Sequence, residues 1–133
     1  MEIHQGEGWR LRIDPDRQPF CVLIGGADWA AELTLEELRL IQQAVLTLLD
    51  QLAAIAPMLM SEEDLTLEHE RSGLWMQLDG SSQHWALRFV LQSQPDRLPP
   101  ARGLEGGWDA AASGAVAALL QGLVLPPVIT VPA

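Results

Sequence analysis

Hydrophobic and polar positions alternate along several stretches of the chain and recur at helical spacing along two others. Residues 9–14, Trp-Arg-Leu-Arg-Ile-Asp, place an apolar side chain at every second position, as a strand with one buried face requires. Asp14 to Pro19 is dense in turn formers. Phe20 to Ile24 is apolar throughout and predicts a central strand or one covered on both faces. Gly25-Gly26-Ala27-Asp28 breaks it, and Trp29 to Leu33 follows as a short third strand.

The next segment carries the strongest helical signal. Thr34 and Glu37 have the spacing of a capping box, with Leu33 and Leu38 at staple positions around it. Leu35, Leu38, Ile41, Val45, Leu48, Leu49, Leu52 and Ile55 trace one stripe, and Pro57 stops it. The pattern predicts a helix over residues 35–55.

Alternation then resumes. Leu65, Leu67 and His69 face one way, and Asp64, Thr66, Glu68 and Glu70 face the other. Arg71-Ser72-Gly73 turns the chain, after which Leu74, Met76 and Leu78 alternate with Trp75, Gln77 and Asp79. Gly80-Ser81-Ser82-Gln83 is the next turn, and Trp85, Leu87, Phe89 and Leu91 continue the apolar face. A three-stranded meander results. With a loop over residues 80–83, counting sets Leu78 opposite Trp85, Met76 opposite Leu87 and Leu74 opposite Phe89. The outer face then pairs Trp75 with Arg88, a cation–π arrangement.

Gln94 to Gly107 is a loop rich in proline, glycine and arginine. The alanine-rich segment from Asp109 to Gln121 predicts a second helix, with Asp109 at its N-terminus and Gly122 as its stop. Residues 123–133 form an apolar, proline-broken tail expected to pack on the body or add an edge strand. Gly8 to Asp14 parallels Gly73 to Asp79, and each is followed by a strand, a glycine-rich stretch with a tryptophan, and a helix. The halves therefore read as a β-β-β-α pseudo-repeat within one α+β domain over residues 1–133, an antiparallel curved sheet packed by two helices.

Composition narrows the functional classes. The chain has 8 basic and 18 acidic residues, a formal charge of −10. Every basic residue is arginine, and lysine, asparagine and tyrosine are absent, which points to a GC-rich genome. Such a field repels nucleic acid and anionic membrane surfaces. No uninterrupted apolar run reaches the ~18 residues of a membrane span. The first residues lack the basic start and apolar core of a secretory signal, so a cytoplasmic location is expected. The lone Cys21 sits in an apolar run and is expected to be a buried, inert thiol.

The order of elements, with Gly8-Trp9-Arg10 near the start and residues 102–108, Arg-Gly-Leu-Glu-Gly-Gly-Trp, before the last helix, resembles a small cyanobacterial family. That family is catalogued as domain-of-unknown-function family 1818. Its members look like the single-stranded-DNA-binding regulators of the Whirly and transcriptional-coactivator type, whose curved antiparallel sheets are packed by helices. The resemblance implies that fold and a photosynthetic host, and no established activity.

Candidate chemistry is sparse. The chain has no P-loop, HExxH, GxSxG or CxxC motif. His4, His69 and His84 stand at no ligand-like spacing, and neither a metal nor a cofactor is expected. Single-stranded nucleic acid needs a basic groove with aromatic platforms. The outer sheet faces offer Arg10, Arg12, Arg88 and Trp75, opposed by Asp64, Glu68, Glu70 and Asp79. Arg102 and the glycines before Trp108 are a candidate anion site, against which Asp109 stands. Of the five tryptophans only Trp75 is expected on an outer face. These features predict a non-enzymatic protein-interaction module, acting on a protein partner or as a homodimer. Its candidate surface is Arg10, Arg12, Trp75, Arg88 and Arg102, together with the tail. A Whirly-like binder of single-stranded DNA or RNA and a small-anion binder are the alternatives.

Overall fold

A computed structural model describes residues 1–96, 98 and 102–126. The first sheet is a meander of β1 (Glu2–Gly6), β2 (Trp9–Ile13), β3 (Val22–Gly26) and β4 (Ala30–Leu33), paired in that order. The helix α1 (Leu35–Ile55) follows. The second sheet is a meander of β5 (Leu65–Arg71), β6 (Leu74–Gly80), β7 (Trp85–Leu91) and β8 (Leu104–Gly107). It leads into α2 (Ala110–Gly122). The α+β class holds, but the single sheet is replaced by two. Each half carries four strands before its helix, not three.

Local chemistry explains most of these elements. The Thr34 hydroxyl accepts from the Glu37 amide at 3.1 Å, and the Glu37 carboxylate accepts from the Thr34 amide at 2.8 Å. This capping box satisfies two donors that the first turn of α1 leaves open. Leu33 and Leu38 around it are both buried. Two hairpins close with two-residue turns. Ser72 and Gly73 both adopt positive φ, 54° and 86°, the backbone that a tight hairpin matching strand twist requires.

The register of β6 on β7 differs from the sequence expectation by two residues. Leu78 lies opposite Leu87, Met76 opposite Phe89 and Leu74 opposite Leu91. Gly80 extends β6 instead of opening the turn, so the loop becomes Ser81 to His84, with the Ser81 amide donating to the His84 carbonyl at 3.0 Å. A slip of two keeps every side chain on its face, and the apolar pattern is therefore blind to it. Trp75 stands opposite Val90, and Gln77 opposite Arg88. The cation–π contact forms on the diagonal, with the Arg88 guanidinium 5.0 Å from the Trp75 ring.

One core joins both sheets and both helices. It includes Leu11, Val22 and Ile24 of the first sheet, Met76, Leu78, Leu87 and Phe89 of the second, and the α1 stripe Leu38, Ile41, Val45 and Leu48. Cys21 is buried there. Helix α1 lies most closely against β5 and β6, the strands of the other half. By length and composition, Leu35 to Met58 could cross a membrane. The structure instead sets its apolar stripe in the core.

Helix α2 ends without a glycine cap. Its last carbonyls are met from α1, where the Gln42 amide donates to Leu120 O at 2.9 Å and Leu123 O at 2.7 Å. Arg39 donates to the Pro126 carbonyl, and Leu125 is buried. The tail thus packs on the body as far as Pro126. Its expected course beyond that lies outside the described residues.

Candidate functional site

The seam between the halves is built by two tryptophans that exchange hydrogen bonds. Trp29, just before β4, donates its indole N–H to the Gly107 carbonyl of β8 at 2.9 Å. Trp108, just after β8, donates to the Gly25 carbonyl of β3 at 3.0 Å. Their rings and Phe89 lie within 5.7 Å of one another, centroid to centroid. Glycine makes the close approach feasible. A Cβ at Gly106 would fall 2.7 Å from Trp29 Cη2 and 3.0 Å from Phe89 Cε1. Beneath the seam, buried Ser113 of α2 accepts from the Leu87 amide at 2.8 Å and donates to the Trp108 carbonyl at 3.0 Å. Its hydroxyl continues the ladder of β7 where β8 has ended.

Open grooves of about 930 and 500 Å³ flank this seam and share Gly8, Ala27, Asp28 and Asp109. Arg10 borders the first and Arg88 the second. Glu7, Asp79 and Glu105 add further carboxylates, so the line between the halves is acidic.

The sequence-predicted site residues fall on separate elements. Arg10 and Arg12 are on β2, in the outward rows Gln5–Arg10–Gly25–Ala30 and Ile3–Arg12–Leu23–Glu32. Trp75 and Arg88 are on the second sheet, where Arg88 lies 3.9 Å from Glu105 with both side chains exposed. That ion pair contributes at most a few tenths of a kcal/mol in solvent. Around Trp75, Glu68 accepts from Gln77 at 3.3 Å and Asp79 from Thr66 at 2.7 Å. The arginine pair and the outward tryptophan therefore stand on different sheets. Arg102 lies over the Phe20 ring at 4.4 Å and donates to the Glu32 carbonyl at 3.2 Å. It braces the approach to β8 against β4 while remaining exposed.

Among the described residues, no group of three or more His, Cys, Asp and Glu side chains is placed to hold a metal. Ser81 and His84 touch only through the hydroxyl and the main chain. The indole exchange was invisible in the sequence because its acceptors are backbone carbonyls. The glycine pairs before Trp29 and Trp108 were its one trace.

The fold and its seam define an α+β domain of two antiparallel meanders and two helices on a shared core, each sheet keeping one face to solvent. The chain belongs to the family described as a domain of unknown function (DUF1818), whose model matches residues 4–123. A crystal structure of a protein of unknown function, described as from the DUF155 family of Prochlorococcus sp. NATL2A, is similar at 34% identity with a TM-score of 0.83. The match covers 91% of this chain and 97% of that one. No curated protein matches the chain.

Proposed function

We propose that this domain is a non-enzymatic protein-interaction module of the cyanobacterial cytoplasm, binding through the outer face of its second sheet. The observation that carries it is the Trp75–Arg88 stack. A half-buried indole lies under a guanidinium at 5.0 Å on a sheet face that neither helix covers. Tryptophan and arginine are enriched at interface centres, where they supply most of the binding energy. Flanking Val90 and Ala86 share that face, and Glu68, Glu70, Asp79 and Glu105 form a polar rim. A protein partner or a second copy of the chain fits this composition.

The test is purification of the tagged protein and its Trp75→Ala variant from a cyanobacterial lysate after nuclease treatment. Wild type should retain a stoichiometric protein, or itself as a dimer, and the variant should lose it while melting within about 1 kcal/mol of wild type. Undiminished capture by a folded Trp75→Ala protein would sink this reading.

A second reading, a Whirly-like regulator binding single-stranded DNA or RNA, draws on Arg10, Arg12, Arg88 and Trp75. It is the weaker one, because Glu68, Glu70 and Asp79 beside Trp75 oppose phosphates and the net charge of −10 repels a polyanion. On the first sheet, the groove that Arg10 borders with Trp9 and Trp29 also holds Glu7, Asp28 and Asp109.

A further inference from the structure

The outer face of the first sheet carries two arginines with no visible purpose. Among the described residues, neither Arg10 nor Arg12 has a carboxylate within ion-pairing distance, in a chain of net charge −10. Glu32, the acid in the same outward rows, is already 3.5 Å from Arg17. Arg10 extends across Gly25, where an added Cβ would come within 3.2 Å of its Cγ.

Beside them lies an open sheet edge. β1 is one of the two edge strands of its sheet, exposed at four of its five positions. Proline, lysine and inward charges are the usual guards against strand addition. β1 reads Glu-Ile-His-Gln-Gly and has no proline or lysine, and its one acidic side chain, Glu2, lies in the row of Ile13 on the opposite face from Arg10 and Arg12, beside His4. Ile3, on the same face as Arg12, is 57% exposed.

We propose that the edge of β1 and the Arg10–Arg12 pair form one docking site for an extended acidic segment of another protein, added to the sheet as a fifth strand. Such a strand would run ~4.8 Å from β1, with alternate side chains beside Ile3 and Gln5. Glutamates there are long enough to reach over β1 to the guanidinium groups of Arg12 and Arg10, which are long themselves. The aliphatic stem of the glutamate beside Ile3 would cover it, and the apolar residues between the glutamates would lie on the other face, beside His4. The ladder supplies affinity and the arginines supply selection. The choice of acidic protein over nucleic acid follows from there being only two arginines here, few cations for releasing counterions from a polyanion. It follows also from the −10 field, which opposes a polyanion more than a short peptide. The proposal deepens the interaction-module reading by naming a partner chemistry. It uses a different sheet from Trp75, so the two are separable by variant.

The probe is a short fluorescein-labelled peptide of alternating glutamate and valine, titrated with the full chain by anisotropy at low salt. A lysine–valine peptide and an oligothymidylate of equal length are the comparators. The glutamate–valine peptide should bind and the lysine–valine peptide should not. The double variant R10E/R12E, or R10Q/R12Q if the first does not fold, should weaken binding at least ~10-fold, whereas Trp75→Ala should leave it unchanged. Hydrogen exchange should slow at those β1 amides that point away from β2, which a purely electrostatic contact would not achieve. Failure of the glutamate–valine peptide to bind, equal binding by the double variant, or unaltered exchange along β1 would each overturn the site. Tighter binding of the oligothymidylate through the same arginines would overturn it in favour of nucleic acid.

Discussion

Replacing Ser113 by alanine tests the internal wiring of the seam. Ser113 is 0% exposed. Its hydroxyl accepts from the Leu87 amide at 2.8 Å and donates to the Trp108 carbonyl at 3.0 Å. Alanine removes both partners and leaves a buried N–H that water does not reach, at a cost of about 1–3 kcal/mol. The same change raises helix propensity in α2 and returns roughly 0.5 kcal/mol. The net expectation is a loss of about 0.5–2.5 kcal/mol. For a chain of this size that corresponds to roughly 2–10 °C in Tm. Urea unfolding followed by tryptophan fluorescence and by circular dichroism measures it, with coincidence of the two probes as the check on two-state behaviour. Ala118→Ser, on the exposed side of the same helix, is the control and should cost only about 0.5 kcal/mol. If Ser113→Ala is as stable as wild type and the Leu87 amide stays protected from exchange, the hydroxyl is not the partner described and the reasoning fails.

Two further substitutions probe neighbouring contacts. Gly106→Ala places a methyl 2.7 Å from the Trp29 ring. It should cost about 1–3 kcal/mol and weaken the near-ultraviolet dichroism of the aromatic cluster; an unchanged spectrum would contradict the close packing. Gln42→Ala strips both donors from the end of α2. It should cost about 1 kcal/mol and speed amide exchange in the last turn of α2, and unaltered exchange there would show that another group caps that end.

Where side chains alternate cleanly, the sequence carried the structure. β2, β6, β7 and α1 are legible because one face of each is apolar and the other polar. The two missed strands lack that contrast. β1 is a largely polar edge. β8, Leu-Glu-Gly-Gly, has little strand propensity of its own and is extended because β7 pairs with it from Arg88 to Leu91. The slip at Gly80 was illegible for a different reason, since pairing shifted by two satisfies the same pattern. At the candidate site the residue types could be named, but not their grouping. Trp75 and Arg88 meet on one sheet, Arg10 and Arg12 stand on the other, and Arg102 is engaged with Phe20 and Glu32. Nothing in the linear order separates those three situations.

Helix α1 belongs to the first half of the chain but lies against the strands of the second. The indole of Trp29 reaches the same way, and that of Trp108 reaches back. Cutting the exposed connection around Ser61 to Glu63 would therefore not release two small domains. The second fragment would keep α2 on β7 but lose α1 from β5 and β6, and each would lose the tryptophan that the other sends across the seam. A nicked chain would persist as one particle held without covalent linkage, and the two pieces made separately would each stay unfolded until mixed.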